Sequence, residues 1–390
     1  MKKPNEIIPL FKVFMSEDVL VPVNKVLMSG FIGQGPRVEE FENDLKKYFG
    51  NQYVITTNAA TSAEHIALRM LRTPPNSGLD GSEWHGMEDG DEVLTTALTC
   101  TATNWPILAN GYKIKWVDVD KNTCNMDLKD LERKITSKTK AIVVVHWGGY
   151  PNDLDELRNI QDRAQKKYGF KPLIIEDCAH SVGSSYKGKK LGSHGNMCFF
   201  SFQAIKHLTT GDGGVLIVPD KKYYDRAKLL RWYGIDREHN SKDFRCESDI
   251  PEWGYKFHMN DINATIGIHN LPHLEKVLAG YKANAAYYNQ ELLGVKGVTL
   301  MEHKTDRESS YWLYTLKIER RDDFMQYMKE CNIMVSRVHE RNDIHSCVKE
   351  YRTELPNLDG LVKEMICIPN GWWVTTEQRE YIVDCIKKGW

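Results

Sequence analysis

The 390-residue sequence has no Cys-x-x-Cys pair: its nine cysteines, Cys100, Cys124, Cys178, Cys198, Cys246, Cys331, Cys347, Cys367 and Cys385, stand singly and are odd in number. That argues against a disulfide framework and suits a reducing compartment, so a cytoplasmic location is expected. An excess of charge is also lacking. Lys plus Arg total 52 against 53 for Asp plus Glu, a formal net charge of −1, which leaves no bulk attraction to nucleic acid or to an anionic membrane. Long hydrophobic runs are missing too: stretches such as Ala141–Val145 fall far short of the ~20 apolar residues that span a bilayer. The start, Met1-Lys2-Lys3-Pro4-Asn5-Glu6, does not read as a signal peptide, because Lys12, Glu17 and Asp18 break the apolar stretch behind it. Neither an internal repeat nor a low-complexity tract is present, and no metal site is expected.

What is present is material for a sizeable core, 41% hydrophobic beside 27% charged, in a length that suggests two or three domains. Short β-branched runs alternate with polar helical stretches, the pattern of an α/β fold with a mostly parallel sheet. Strands are expected at Tyr53–Thr57, Glu92–Thr96, Lys113–Val117, Ala141–Val145, Leu173–Glu176, Met197–Phe202 and Gly214–Val218, as one large seven-stranded sheet. Helical periodicity falls at Val38–Phe49, Thr61–Leu71, Leu128–Lys134, Leu154–Tyr168 and Tyr223–Tyr233. After about residue 250 the texture changes to a long helix from Asn260 to about Leu293, an alternating stretch Tyr311–Ile318, a helix near Asp322–Cys331 and a helical end near Glu377–Lys387. The expected organisation is a large α/β domain over 1–255 and a smaller α+β domain over 256–390. Pro74–Gly90, with Trp84 and His85, has no period and reads as a loop insertion, either a cover over a site or surface decoration.

Three features carry chemistry. The first is Ser201-Phe202-Gln203-Ala204-Ile205-Lys206-His207, followed by Gly211-Asp212-Gly213-Gly214 and another strand. A single lysine is ordinarily a solvated cation. One held between a buried strand and a glycine-rich turn has a lowered pKa and forms a Schiff base with an aldehyde, while Ser201 and the glycine backbone can serve a phosphate. The second is Asp177-Cys178-Ala179-His180 at the carboxyl end of a strand, where ligands bind in α/β sheets. A carboxylate there either pairs with the protonated ring nitrogen of pyridoxal phosphate or caps the next turn. The third is Thr57-Asn58-Ala59-Ala60-Thr61-Ser62-Ala63, small residues running into a helix, which suit an anion at the helix N-terminus or a plain N-cap.

In that order, these features resemble the DegT/DnrJ/EryC1/StrS family of pyridoxal-phosphate sugar aminotransferases, of the aspartate-aminotransferase (type I) fold, over nearly the whole chain. The family signature is matched by Asp177-Cys178-Ala179-His180, Ser201-Phe202, Lys206 and Gly211-Asp212-Gly213-Gly214, and its opening motif by Gly30-Phe31-Ile32-Gly33-Gln34-Gly35-Pro36-Arg37-Val38-Glu39-Glu40-Phe41-Glu42. The resemblance implies pyridoxal phosphate as cofactor, with Lys206, Asp177 and His180 as the catalytic residues. It implies phosphate contacts from Ala60, Thr61 and Ser201, His180 beside the ring, and Gln34 near a sugar nucleotide. Gly254 to Asp261 looks like the segment that reaches across a homodimer to the phosphate, with Lys256 where Asn is usual. Relatives carry a stacking aromatic where this chain has Cys100, so the ring would face Cys100, with Trp105 as another candidate for stacking.

His146-Trp147-Gly148-Gly149-Tyr150-Pro151 looks like the family's His-x-x-Gly-x-Pro turn, where the His either contacts substrate or orders the turn. The cluster Val338 to His345, with His339 and Arg341, either recognises substrate phosphate or is a solvated charged loop. The implied activity is ping-pong transamination, from glutamate to a nucleotide-linked 4-keto-6-deoxy (or 3-keto) sugar, with Lys206 as general base and acid. Three alternatives stay open: amination of a small keto phosphate; a sugar dehydratase of the same fold, against which Lys206 argues because those relatives carry His there; and a cofactor-binding regulator, for which the chain has no basic patch.

Overall fold

The computed structural model describes residues 3–72, 86–237 and 249–390, so Trp84, His85 and Cys246 lie outside the described residues. Helices α1 (Leu20–Met28) and α2 (Pro36–Phe49) precede the first strand. Gly35 and Pro36 start α2 for two reasons. Proline at the first helical position loses no intrahelical bond, and Gly35 admits the Asp261 carboxylate, whose Oδ1 accepts from Gly35 N at 2.8 Å and Val38 N at 3.1 Å. A Cβ on Gly35 would sit 2.7 Å from Asp261 Oδ2.

Strands β1 (Val54–Thr57), β2 (Glu92–Thr96), β3 (Lys113–Val117), β4 (Thr139–Val145) and β5 (Leu173–Asp177) follow. They are connected through helices α3 (Ala60–Met70), α4 (Thr101–Ala109), α5 (Leu128–Lys134) and α6 (Leu154–Tyr168). After a hairpin of β6 (Ser185–Tyr186) and β7 (Lys189–Lys190) come β8 (Met197–Ser201) and β9 (Gly214–Ile217). The sheet has seven strands in the order β1-β9-β8-β5-β4-β2-β3. It is parallel except for β9, which runs antiparallel to both β1 and β8. Val143, Ile175 and Phe199 point into one core, while Ile142, Ile174 and Phe200 point into another. That is why the strands read as continuous apolar runs rather than alternation.

Helices α7 (Lys221–Arg231), α8 (Asp261–Asn270) and α9 (Leu274–Glu291) lead into the last part of the chain. There β10 (Val298–Leu300), β12 (Tyr314–Ile318) and β13 (Met365–Ile368) form an antiparallel sheet, and β11 (Arg307–Glu308) joins the β6–β7 hairpin. Helices α10 (Arg321–Glu330), α11 (Pro356–Glu364) and α12 (Thr376–Lys388) complete the fold. The seven-stranded α/β architecture agrees with the sequence reading. The long helix expected from Asn260 is instead two helices separated by a 3₁₀ turn at Leu271–His273, where Pro272 supplies no backbone N–H. Around the expected division at 255/256, Ala264, Ile268 and Leu274 pack into a core of the large sheet, and Ile8, near the N-terminus, pairs with Ile333 in the C-terminal core. Every described cysteine is free. Among the described residues no helix is long and apolar enough to cross a membrane.

Candidate active site

The carboxyl ends of β1, β5 and β8 open onto a cavity of about 350 Å³. It gathers Ala60, Thr61, Cys100, Asp177, His180 and Ser201, together with Lys206 and, from the C-terminal part of the chain, His339 and Trp312. Topology explains the gathering. Parallel neighbours place their carboxyl ends on one edge, and antiparallel β9 brings its first residue, Gly214, opposite both Thr57 and Ser201.

One end of the cavity is built for an anion. Helix α3 starts after Ala59 with no side-chain cap, so its first N–H groups, at Ala60 and Thr61, have no intrahelical partner and border the cavity. Gly214 lets β9 approach this turn, since a Cβ there would collide with Ala60 N. Ser201 Oγ stands at the end of β8 and accepts from Gln203 N at 3.3 Å.

The floor carries Asp177. Its Oδ2 accepts from Thr103 Oγ at 2.7 Å and its Oδ1 from Ala179 N at 2.9 Å. Burial nevertheless pushes its carboxyl above the usual range, against the pull of those donors and of Lys206. Such a carboxylate is suited to a buried cation, which would favour its ionised form. Behind it, His146 Nδ1 accepts from Asn152 N at 3.0 Å, so its Nε2–H donates to Glu176 at 2.9 Å. His146 thereby orders the turn after β4. His146, Glu176 and Cys178 lie within 4.8 Å of one another, and Asn196 occupies the other Glu176 oxygen at 2.7 Å.

Lys206 is partly buried, and desolvation pushes its amine down to about 7, while Asp177 and Cys100 draw it upward. Its Nζ sits 3.4 Å from the Trp312 ring centroid. Trp312 stacks on His180 at 4.0 Å, and His180 stacks on His339 at 5.6 Å. Burial first, and then the Lys206 charge, push His180 well below the ordinary imidazole range. The same two causes push His339 down to about 4, and its Nε2 is buried with no hydrogen-bond partner among the described residues.

The cavity does not include Lys256, Gln34 or Arg341. Lys256 is exposed, and its carbonyl accepts from Asn58 Nδ2 at 3.4 Å beside the start of α3. Gln34 lines a separate groove with Arg231 and Arg237. The Arg341 guanidinium is held by Asp343, at 2.7 and 2.6 Å, and by Asp359. Trp105 packs edge-on against His345 at 5.8 Å rather than lining the cavity.

Sequence reasoning passed over Thr103, Trp312 and Glu64. Thr103 carried a weak signal, a hydroxyl three residues after Cys100, the residue expected to face the ring. Trp312 and the fully buried Glu64 carried none, because their surroundings come from distant segments. These features together fit pyridoxal phosphate: an amine of low proton affinity, an uncapped helix start, and a buried carboxylate in want of a cation.

Comparison with known proteins agrees. The crystal structure of AtS13 from Actinomadura melliaura is 49% identical, with 100% of both chains covered and a TM-score of 0.93. That of the sugar aminotransferase CalS13 from Micromonospora echinospora is 46% identical over 98% of this chain and 100% of that one, TM-score 0.92. The putative sugar aminotransferase Spr1654 from Streptococcus pneumoniae, in its PLP-form, is 27% identical over 98% of each chain, TM-score 0.86. The DegT/DnrJ/EryC1/StrS aminotransferase family model matches residues 14–387. The chain is a pyridoxal-phosphate-dependent aminotransferase and belongs to the DegT/DnrJ/EryC1/StrS aminotransferase family.

Proposed function

We propose that this enzyme moves an amino group from glutamate to the keto group of a nucleotide-linked sugar of the 4-keto-6-deoxy type, in the cytoplasm. The observation that carries the reading is the meeting of Lys206, Asp177 and the uncapped α3 start in one cavity; the sugar aminotransferase CalS13, at 46% identity, supports a sugar as acceptor. When bound, pyridoxal phosphate supplies an electron sink that stabilises negative charge beside the transferred nitrogen. In this reading Ala60, Thr61 and Ser201 hold the phosphate, Asp177 faces the ring nitrogen, and Cys100 and His180 flank the ring. Lys206 anchors the cofactor through its amine and then, released, moves the proton between the two carbon positions of the reacting system.

His339, neutral at pH 7 and unpartnered at Nε2, offers the acceptor a hydrogen bond. Arg341 acts on substrate through the loop it ties together with Asp343. Gln34 and Lys256, which a single chain keeps out of the cavity, serve the partner subunit's site in a homodimer. Leu20, Val21, Met28 and Phe31, all exposed on and after α1, supply an apolar face for that assembly. The test is a panel of keto sugar nucleotides and keto phosphates with glutamate, read by product mass. Amination of a sugar nucleotide is expected; turnover of keto phosphates alone would overturn the substrate reading.

A further inference from the structure

Trp312 reaches Lys206 in two ways. Its Nε1–H donates to the carbonyl of Ile205, the residue before the lysine, at 3.0 Å, and its ring lies 3.4 Å below the lysine Nζ. That is well inside the ~6 Å at which a cation is drawn to an aromatic face. The ring has little freedom to be elsewhere. It is only 3% exposed, it stacks on His180 at 4.0 Å and on Phe11 at 5.1 Å, and its neighbour Leu313 packs in the same core. One side chain therefore grips the backbone of the lysine loop and presents a π face to the amine that loop carries.

The other titratable groups near Lys206 come from several elements: Asp177 and His180 from the end of β5, Cys100 from the start of α4, His207 from the same loop, and His339 from the C-terminal part. Burial holds His207 down to about 3 and His339 down to about 4, and keeps His180 low as well. At neutral pH the histidines carry no charge that would stabilise or repel the ammonium. Asp177 is already shared with Thr103 and the Ala179 N–H. Asp177 and Cys100 favour the ammonium electrostatically, and the aromatic face is the group it sits against.

We propose that Trp312 is a positioning residue for Lys206: its face holds the lysine ammonium whenever the amine is not joined to the cofactor, and so sets where the amine waits and how readily it gives up its proton. Removing the attraction leaves burial less opposed, so the amine loses its proton at lower pH.

The proposal rests on Lys206 being the cofactor-bearing amine, and the experiment separates the two claims. Full-length protein is stripped of cofactor and given pyridoxal phosphate, and the rate of borohydride-trappable capture is followed against pH. Capture needs the neutral amine, whose nitrogen joins the aldehyde carbon with release of water. Tryptophans carrying one, two and three ring fluorines, incorporated at position 312, weaken the face while nearly preserving shape and fold. The midpoint of capture should fall stepwise, by roughly one pH unit across the series, with Trp312→Phe falling between the extremes. A role confined to packing would move the thermal midpoint and leave the pH midpoint alone; a flat pH midpoint across the fluorinated series overturns the proposal. Trapping in Lys206→Ala at the wild-type rate would instead overturn the assignment of Lys206 itself.

Discussion

Thr103 donates its hydroxyl to Asp177 Oδ2 at 2.7 Å across 74 residues of sequence, and Thr99 Oγ1 lies 2.8 Å from the same hydroxyl. The pair of threonines thus orients the carboxylate that faces the cavity, and it opposes the burial that pushes the Asp177 carboxyl upward. Thr103→Val keeps the volume and removes the donor. Asp177 should then hold its proton to higher pH, and the acid limb of single-turnover amine transfer should move upward. At pH 7 the rate should fall by roughly tenfold, the order of one hydrogen bond to a charged group. Asp177→Asn should retain cofactor and slow the same step by on the order of 10²–10³. An unmoved acid limb in Thr103→Val would refute the orienting role.

Lys206→Ala removes the one amine this reading gives to both anchoring and proton transfer. The variant should fold, since the change deletes a side chain without opening the backbone turn Gln203–Lys206, whose bond from Lys206 N to Gln203 O at 2.9 Å remains. Turnover should be lost, together with borohydride-stable attachment of the cofactor, while circular dichroism of the fold is kept. Persistent attachment read by intact mass would place the anchor elsewhere.

The parts of this molecule that were legible in the sequence are those where local pattern and final environment agree. Leu128–Lys134 and Leu154–Tyr168 are amphipathic, with acidic N-caps at Asp127 and Asp153, and the helices have those limits. Strands β2 and β3 likewise keep their expected bounds. Helix α4 was missed because Thr101–Ala109 has no polar face to mark a period and holds Pro106 in its interior. Of the small sheets, β12 was legible within the alternating stretch Tyr311–Ile318; β6, β7, β10 and β11 were missed because strands of two or three residues cannot show alternation, and β13 because all four of its residues are buried. Within the site, Asp177, Ser201 and Lys206 stood out because each follows a recognisable strand. Trp312 could not, because its partner Ile205 is 107 residues away. A lone tryptophan ahead of a strand looks like any other core aromatic.

Glu64 makes a prediction about stability. It lies on α3 one turn beyond Ala60, fully buried, with neither carboxylate oxygen bonded. Burial, then Asp177 and Cys100, raise its carboxyl well above the usual range. The folded protein therefore takes up a proton at Glu64 that the unfolded chain has already released, and stability falls as pH rises from the unfolded pKa toward the folded one, by about 1.4 kcal/mol per pH unit for this single group. Glu64→Leu abolishes that slope. The variant should melt higher than wild type at pH 8 and gain less, or nothing, at pH 5. A difference between the two proteins that stays constant from pH 5 to 8 would mean that Glu64 is not held protonated by the fold.

The last prediction concerns Lys256, which is exposed yet belongs to a segment bonded to the start of α3 through Asn58: Phe257 O accepts from Asn58 N at 2.7 Å. A cation so close to the anion end of the cavity, but absent from its lining, would serve a neighbouring copy in the homodimer proposed above. In a two-fold dimer each site would then combine its own Lys206 with the partner subunit's Lys256. Cofactor affinity should depend on assembly, because a ligand that binds only the assembled state stabilises it by mass action. Dilution should release cofactor and subunits together, and Lys256→Ala should weaken cofactor binding without disturbing the sheet that carries Lys206. Subunit mixing separates the two geometries. When Lys206→Ala and Lys256→Ala protomers are combined, a shared site predicts that each mixed dimer holds one site with both lysines and one with neither, so activity reappears. If each chain used its own Lys256, the mixed dimer would hold two singly impaired sites and mixing would restore nothing. Recovery in proportion to the heterodimer measured by native mass spectrometry is the expected result; heterodimers without recovery would show that Lys256 does not act across the interface.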